Sequence, residues 1–151
     1  VLAAKSAGLD GAIIPDLPYE EASNMLAICK KNDFSLINFV TPNTTAQRIN
    51  ETCKNADGFI YCVSVNGVTG VSEIDYTPIN EVVKIVKQQT QTPVAIGFGI
   101  GTPAAAKAAS SVPDNIIVGS AVMQKLMAEG LTAYGELIKT IRQALDEGSQ
   151  V

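Results

Sequence analysis

The chain reads as an α/β protein with a parallel sheet, made of five consecutive strand-then-helix units. Three observations carry that reading. Short apolar runs alternate with longer stretches of helical period from one end to the other. The runs are rich in Ile, Val and Phe and apolar nearly throughout, as strands covered on both faces are. Several of the longer stretches open on the hydroxyl, carboxylate and proline residues that start helices.

Taken in order, "VLAAKSAGLDG" (1–11) reads as the tail of a helix, an opening that points to residues upstream. The strands follow as "GAIIPDL" (11–17), "FSLINFV" (34–40), "GFIYCVSV" (58–65), "PVAIGFG" (93–99) and "NIIVGS" (115–120). Between them "YEEASNMLAICKKND", "TTAQRINETCKNA", "YTPINEVVKIVKQQT" and "TPAAAKAASS" read as helices, and "AVMQKLMAE" and "LTAYGELIKTIRQALDEG" close the chain. Thr77-Pro78 and Thr102-Pro103 each set a capping hydroxyl before a proline suited to the first helical turn. Glu20 and Glu21 fall where carboxylates complement a helix dipole. The last helix is expected to stop at Gly148.

At 151 residues the chain has the length of one domain, taken as 1–151 with a single core. The formal net charge is −4 and Lys and Arg are scattered, which argues against nucleic-acid and anionic-membrane partners. No apolar run approaches the roughly 18 residues of a membrane span, and no signal-peptide pattern opens the chain, so a cytoplasmic location is expected. Cys29, Cys53 and Cys62 form no CxxC pair and read as reduced, buried thiols. With no histidine, Ser-His-Asp and Cys-His units and histidine metal ligands within the chain are excluded.

Five such units fit two architectures: a doubly wound flavodoxin-like sheet of order 2-1-3-4-5, or part of a (β/α)8 barrel with sequential neighbours. A barrel takes about 250 residues, and five-eighths of that is roughly 155. The glycine loops decide. "IGFGIGTP" (96–103) and "IIVGSAV" (116–122) repeat one device in adjacent units: glycine ends a strand, and backbone N–H groups follow at a helix start. That is a ready phosphate site, and a barrel's usual phosphate site uses its last two βα loops. A dinucleotide fingerprint fits poorly, because Gly97, Gly99 and Gly101 give G-x-G-x-G at the fourth strand. Between residues 92 and 122 the only cation is Lys107, so backbone N–H groups and helix dipole must hold the anion. The long connection "SVNGVTGVSEIDYTP" (64–78) offers a third ligand loop.

These residues closely resemble a known family. "GLDGAIIPDLPYEE" (8–21), "YCVSVNGVTG" (61–70), "GFGI" (97–100) and "GSA" (119–121) match the alpha subunit of tryptophan synthase in order and spacing, over essentially the whole chain. The resemblance implies a (β/α)8 TIM barrel, present here as five parallel βα units from about strand 4 to helix 8. It implies a lyase that cleaves indole-3-glycerol phosphate to indole and glyceraldehyde 3-phosphate by a retro-aldol reaction, without metal or cofactor. It also implies docking on a tryptophan synthase beta subunit, in a hetero-tetramer of two alpha and two beta chains. Carried over by motif, Gly70, Gly99, Gly119 and Ser120 bind the phosphate, Ile13, Phe98 and Ile117 line the indole pocket, and Tyr61 positions the scissile bond. Thr69 acts in the closing loop, Pro18 faces the beta subunit, and Asp16 bears on communication with it. Val65 departs from the arginine of the family pattern. The family's catalytic glutamate and aspartate fall upstream of Val1, so no catalytic residue is expected within these residues, and this piece alone is expected to be inactive. Glu73 and Asp75 read as solvated loop charges. A phosphate-binding aldolase or isomerase barrel is the alternative, but none of the five strand ends offers a Schiff-base lysine. The other alternative is a self-contained flavodoxin-like binding module.

Overall fold

The computed structural model describes residues 1–63 and 74–148. It contains a single five-stranded sheet in the order β1-β2-β3-β4-β5, every pair parallel. The strands are β1 (Gly11–Ile13), β2 (Ser35–Val40), β3 (Ile60–Val63), β4 (Val94–Gly97) and β5 (Asn115–Ile117). The helices are α1 (Leu2–Ser6), α2 (Ser23–Lys31), α3 (Ala46–Lys54), α4 (Thr77–Gln89), α5 (Pro103–Ala109) and α6 (Ser120–Gly148). Sequential neighbours exclude the doubly wound order and give a half-barrel.

Strand residues alternate between its two faces. Val40, Ile60, Cys62, Val94 and Ile96 lie on the outer face and join Ile49, Ile79, Val83, Val86, Ala106 and Ile141 of the helices in the main core. The register Ile13↔Ile37, Phe39↔Tyr61, Tyr61↔Ala95 and Gly97↔Ile117 puts those residues together on the inner face. A smaller cluster of Ala22, Cys29, Phe34 and Leu36 seats α2 on β2. All four β4 residues are buried, whereas β1 and β5, at the edges, carry none that is. Coverage on both faces, expected of every strand, therefore holds only for the centre.

Local chemistry sets the ends. Pro15, which cannot donate to a ladder, closes β1 well before residue 17. Tyr19–Glu21 form a 3-10 turn, so α2 starts at Ser23 and Glu20 and Glu21 precede it. Thr45 and Thr102 cap α3 and α5, accepting from the N–H groups of Arg48 at 3.3 Å and Ala105 at 3.1 Å. Thr77 does not cap α4. It is the first helical residue, and its N–H donates to Asp75 Oδ1 at 2.8 Å. Asp75 is exposed, as a solvated loop charge should be, and the hydrogen bonds from Thr77 hold its carboxyl below the usual range. Helix α6 runs to Gly148 but is broken at Gly130 (φ 83°, ψ −175°), between the two closing helices read from the sequence.

Candidate functional site

At the carboxyl ends of β3, β4 and β5 lies a cleft of about 400 Å³. Tyr61, Phe98, Gly99, Ile117, Gly119 and Ser120 line it, all six expected at a substrate site, together with Ile74, Ile100, Ala121 and Gln124. Each is placed by a local cause. Tyr61 sits on β3, its ring 5.5 Å from that of Phe39 on the next strand and 6.4 Å from that of Phe59. The ring lies across Gly97, where a Cβ would come within 2.4 Å of the Tyr61 hydroxyl oxygen. Burial pushes the Tyr61 hydroxyl pKa up, so at neutral pH it is a neutral donor.

Beyond β4 the backbone turns through two left-handed residues, Phe98 (φ 126°) and Gly99 (φ 68°). Only glycine accepts such a φ freely, so Phe98 carries strain of about 1–3 kcal/mol. Phe98 is 48% exposed and lines the cleft. Gly99 faces Ile74, whose Cδ1 would be 1.9 Å from an added Cβ. A Cβ on Gly101 would be 3.1 Å from the Ala121 Cβ, which brings the two glycine loops together. Gly119 differs: nothing lies within 4 Å of where its Cβ would be.

The backbone N–H groups of Gly99, Gly119 and Ser120 make no hydrogen bond among the described residues. Gly119 and Ser120 open α6, where the helix dipole adds partial positive charge. Among the described residues no charged side chain lines the cleft. Its polar groups can donate (the N–H groups, Ser120, Tyr61 and Gln124) and are set beside an apolar wall of Ile74, Phe98, Ile100 and Ile117. The arrangement suits a ligand with one anionic end and one flat apolar end. Its described residues include no carboxylate or amine to move a proton.

Ile13 lies apart from this cleft. It shares the inner face, 46% exposed, on the opposite edge strand. Pro18 is exposed at the start of the 3-10 turn. That turn is clasped to α3: the Tyr19 hydroxyl donates to the Glu51 carbonyl at 3.0 Å and accepts from Asn55 Nδ2 at 2.7 Å. Glu20 pairs with Arg48 at 3.2 Å beside it. Thr69 and Gly70, with Val65 and Glu73, lie outside the described residues. Sequence reading missed Ile74, Ile100, Ala121 and Gln124. For Gln124, its i+4 spacing from Ser120 was the available signal.

A family model described as tryptophan synthase alpha chain matches residues 1–148. The chain belongs to the tryptophan synthase alpha family. The tryptophan synthase alpha chain of Herminiimonas arsenicoxydans is 38% identical over 151 residues, covering 97% of this chain and 57% of that one. That of Thermoanaerobacter pseudethanolicus is 48% identical over 122 residues, covering 81% and 46%. Among solved structures, the tryptophan synthase alpha chain of Legionella pneumophila superposes with a TM-score of 0.84 at 30% identity, covering 98% of this chain and 56% of that one. An open form of tryptophan synthase from M. tuberculosis gives 0.81 at 30% identity, covering 93% and 52%. The chain thus spans about half the length of the curated relatives it matches. For a tryptophan synthase alpha chain, the cleft sits where TIM-barrel sites do, at the carboxyl ends of the strands.

Proposed function

We propose that these residues form the phosphate- and indole-binding end of a lyase of tryptophan biosynthesis that cleaves indole-3-glycerol phosphate to indole and glyceraldehyde 3-phosphate. The observation that carries the reading is the cleft itself: unbonded N–H groups at Gly99, Gly119 and Ser120 beside an uncharged apolar wall. The phosphate accepts from those N–H groups, with Gly70 adding a further one. The indole ring lies against Phe98 and Ile117, with Ile13 facing it across the inner surface of the closed barrel. Tyr61, held by Phe39 and Gly97, orients the glycerol chain, and Thr69 closes over it.

The retro-aldol step needs a base at a glycerol hydroxyl and an acid at the ring carbon. No described lining residue supplies either, so those roles fall to groups outside the described residues. The protein works in the cytoplasm, docked through the Pro18 turn on a pyridoxal-phosphate beta subunit as two alpha and two beta chains.

Cleavage of indole-3-glycerol phosphate by the full-length protein tests the site. Gly119→Ala places a methyl group where the phosphate belongs while touching nothing in the fold. Its kcat/KM falls by about tenfold or more, mainly through KM, as the loss of one or two charge-assisted hydrogen bonds requires. Unchanged kinetics in this variant exclude the phosphate assignment. A polypeptide of residues 1–151 alone releases no indole above background, since each missing general acid or base costs about 10²–10⁴-fold.

A further inference from the structure

We propose that Gln124 is a specificity-determining residue of this cleft, donating its side-chain amide to the phosphate held at Gly119 and Ser120. The inference rests on the proposed phosphate site and adds to it a side-chain donor that the backbone motif does not contain.

Four observations converge on it. Gln124 lines the cleft, and no charged residue does among the described residues, so the described groups that meet phosphate charge there are neutral donors. Ser120, Ala121 and Gln124 stand at helical offsets of zero, one and four, on one face of α6. Helical side chains lean toward the N-terminus, so Gln124 covers the turn whose N–H groups at Gly119 and Ser120 are unbonded. Its amide also has no hydrogen-bond partner among the described residues, whereas the adjacent Lys125 is engaged by Glu129 at 2.6 Å. The nearest cation on the helix is thereby engaged, and the exposed Gln124 amide joins the Ser120 hydroxyl and the backbone N–H groups as a donor toward the anion. An amide reads phosphate oxygens by direction and adds no long-range field, which favours a phosphate ester positioned by its apolar end over free anions.

Titration of the full-length protein with inorganic phosphate, followed by the backbone amide resonances of Gly99, Gly119 and Ser120, tests this. Gln124→Met keeps the length and neutrality of the side chain and removes the donor. It weakens phosphate binding about tenfold or more, the low end for a hydrogen bond to a charged group. Gln124→Lys tightens binding and makes it steeper in salt, while Gln88→Met on α4 changes neither. Parent-like affinity in both Gln124 variants, with the three amides still responding, overturns the role of Gln124 and leaves the phosphate site standing. Silence of those amides in the parent protein is a different result and removes the site and the inference together.

Discussion

Gly97, Gly99 and Gly119 look alike in the sequence, yet each is glycine for a different reason. Gly97 leaves room for the Tyr61 ring, Gly99 takes a left-handed φ under Ile74, and Gly119 faces open space. The sequence signalled that backbone must come close to something. It did not show that at two of the three positions that something is the protein's own side chain, because those contacts join β3 and the segment before α4 to β4, far apart along the chain. Gly97→Ala is expected to push Tyr61 aside and to destabilise the fold by about 1–3 kcal/mol, the usual cost of overpacking. A denaturant midpoint shift measures it, and truncating Tyr61 in the same chain should recover most of the loss. Gly119→Ala should leave stability within about 0.5 kcal/mol of the parent. Cys62 is a further single-residue case: burial, then the neighbouring Cys53, pushes its thiol up to about 12. With Cys29 and Cys53 also buried, a thiol reagent at neutral pH should label none of the three quickly in the native protein and all three after unfolding.

Helices and strands were mostly legible, and the misses have local causes. Alternating runs located all five strands, but Pro15 cut the first short and the helix after it waited for a 3-10 turn. The threonines before α3 and α5 cap as their sequence suggests, whereas Thr77 is the first residue of α4 itself and donates its N–H to Asp75. One tie between elements had no sequence signal. Asp114, just before β5, accepts from the Val94 N–H of β4 at 2.9 Å and pairs with Lys87 of α4 at 2.5 Å. Burial opposes ionisation of Asp114, but the Lys87 and Val94 hydrogen bonds prevail and hold its carboxyl below the usual range. A lowered folded pKa means that this stabilisation is complete above the ordinary carboxylate pKa and lost as pH falls through the lowered value. Asp114→Asn keeps an acceptor for Val94 and removes the charge. It should cost about 0.5–1 kcal/mol at neutral pH, as for a half-exposed pair, and the difference from the parent should close in acid. The Tyr19 clasp is a second such tie. Tyr19→Phe removes the donor to Glu51 and should weaken the proposed docking of a beta subunit through a looser Pro18 turn, with stability changed by no more than about 1 kcal/mol.

The half-barrel as an assembly was legible because parallel βα units admit few topologies, and two matched glycine loops in adjacent units favoured the one observed. The order β1-β2-β3-β4-β5 then follows from short connections alone. The composition of the cleft was less so. Gln124, Ile74 and Ile100 come to it only once α6 and the residues before α4 have packed around the end of β4. Ile13 shows the complementary limit, since its distance from Ile117 depends on how far the sheet curves between two edge strands. The most direct measurement is a crystal structure of the full-length protein with indole-3-glycerol phosphate bound, or with glycerol 3-phosphate standing in for its anionic end. The phosphate should lie within hydrogen-bond distance of the Gly99, Gly119 and Ser120 N–H groups, with the apolar end against Phe98 and Ile117. A phosphate bound at any other place on the chain, with those N–H groups left to water, contradicts the account.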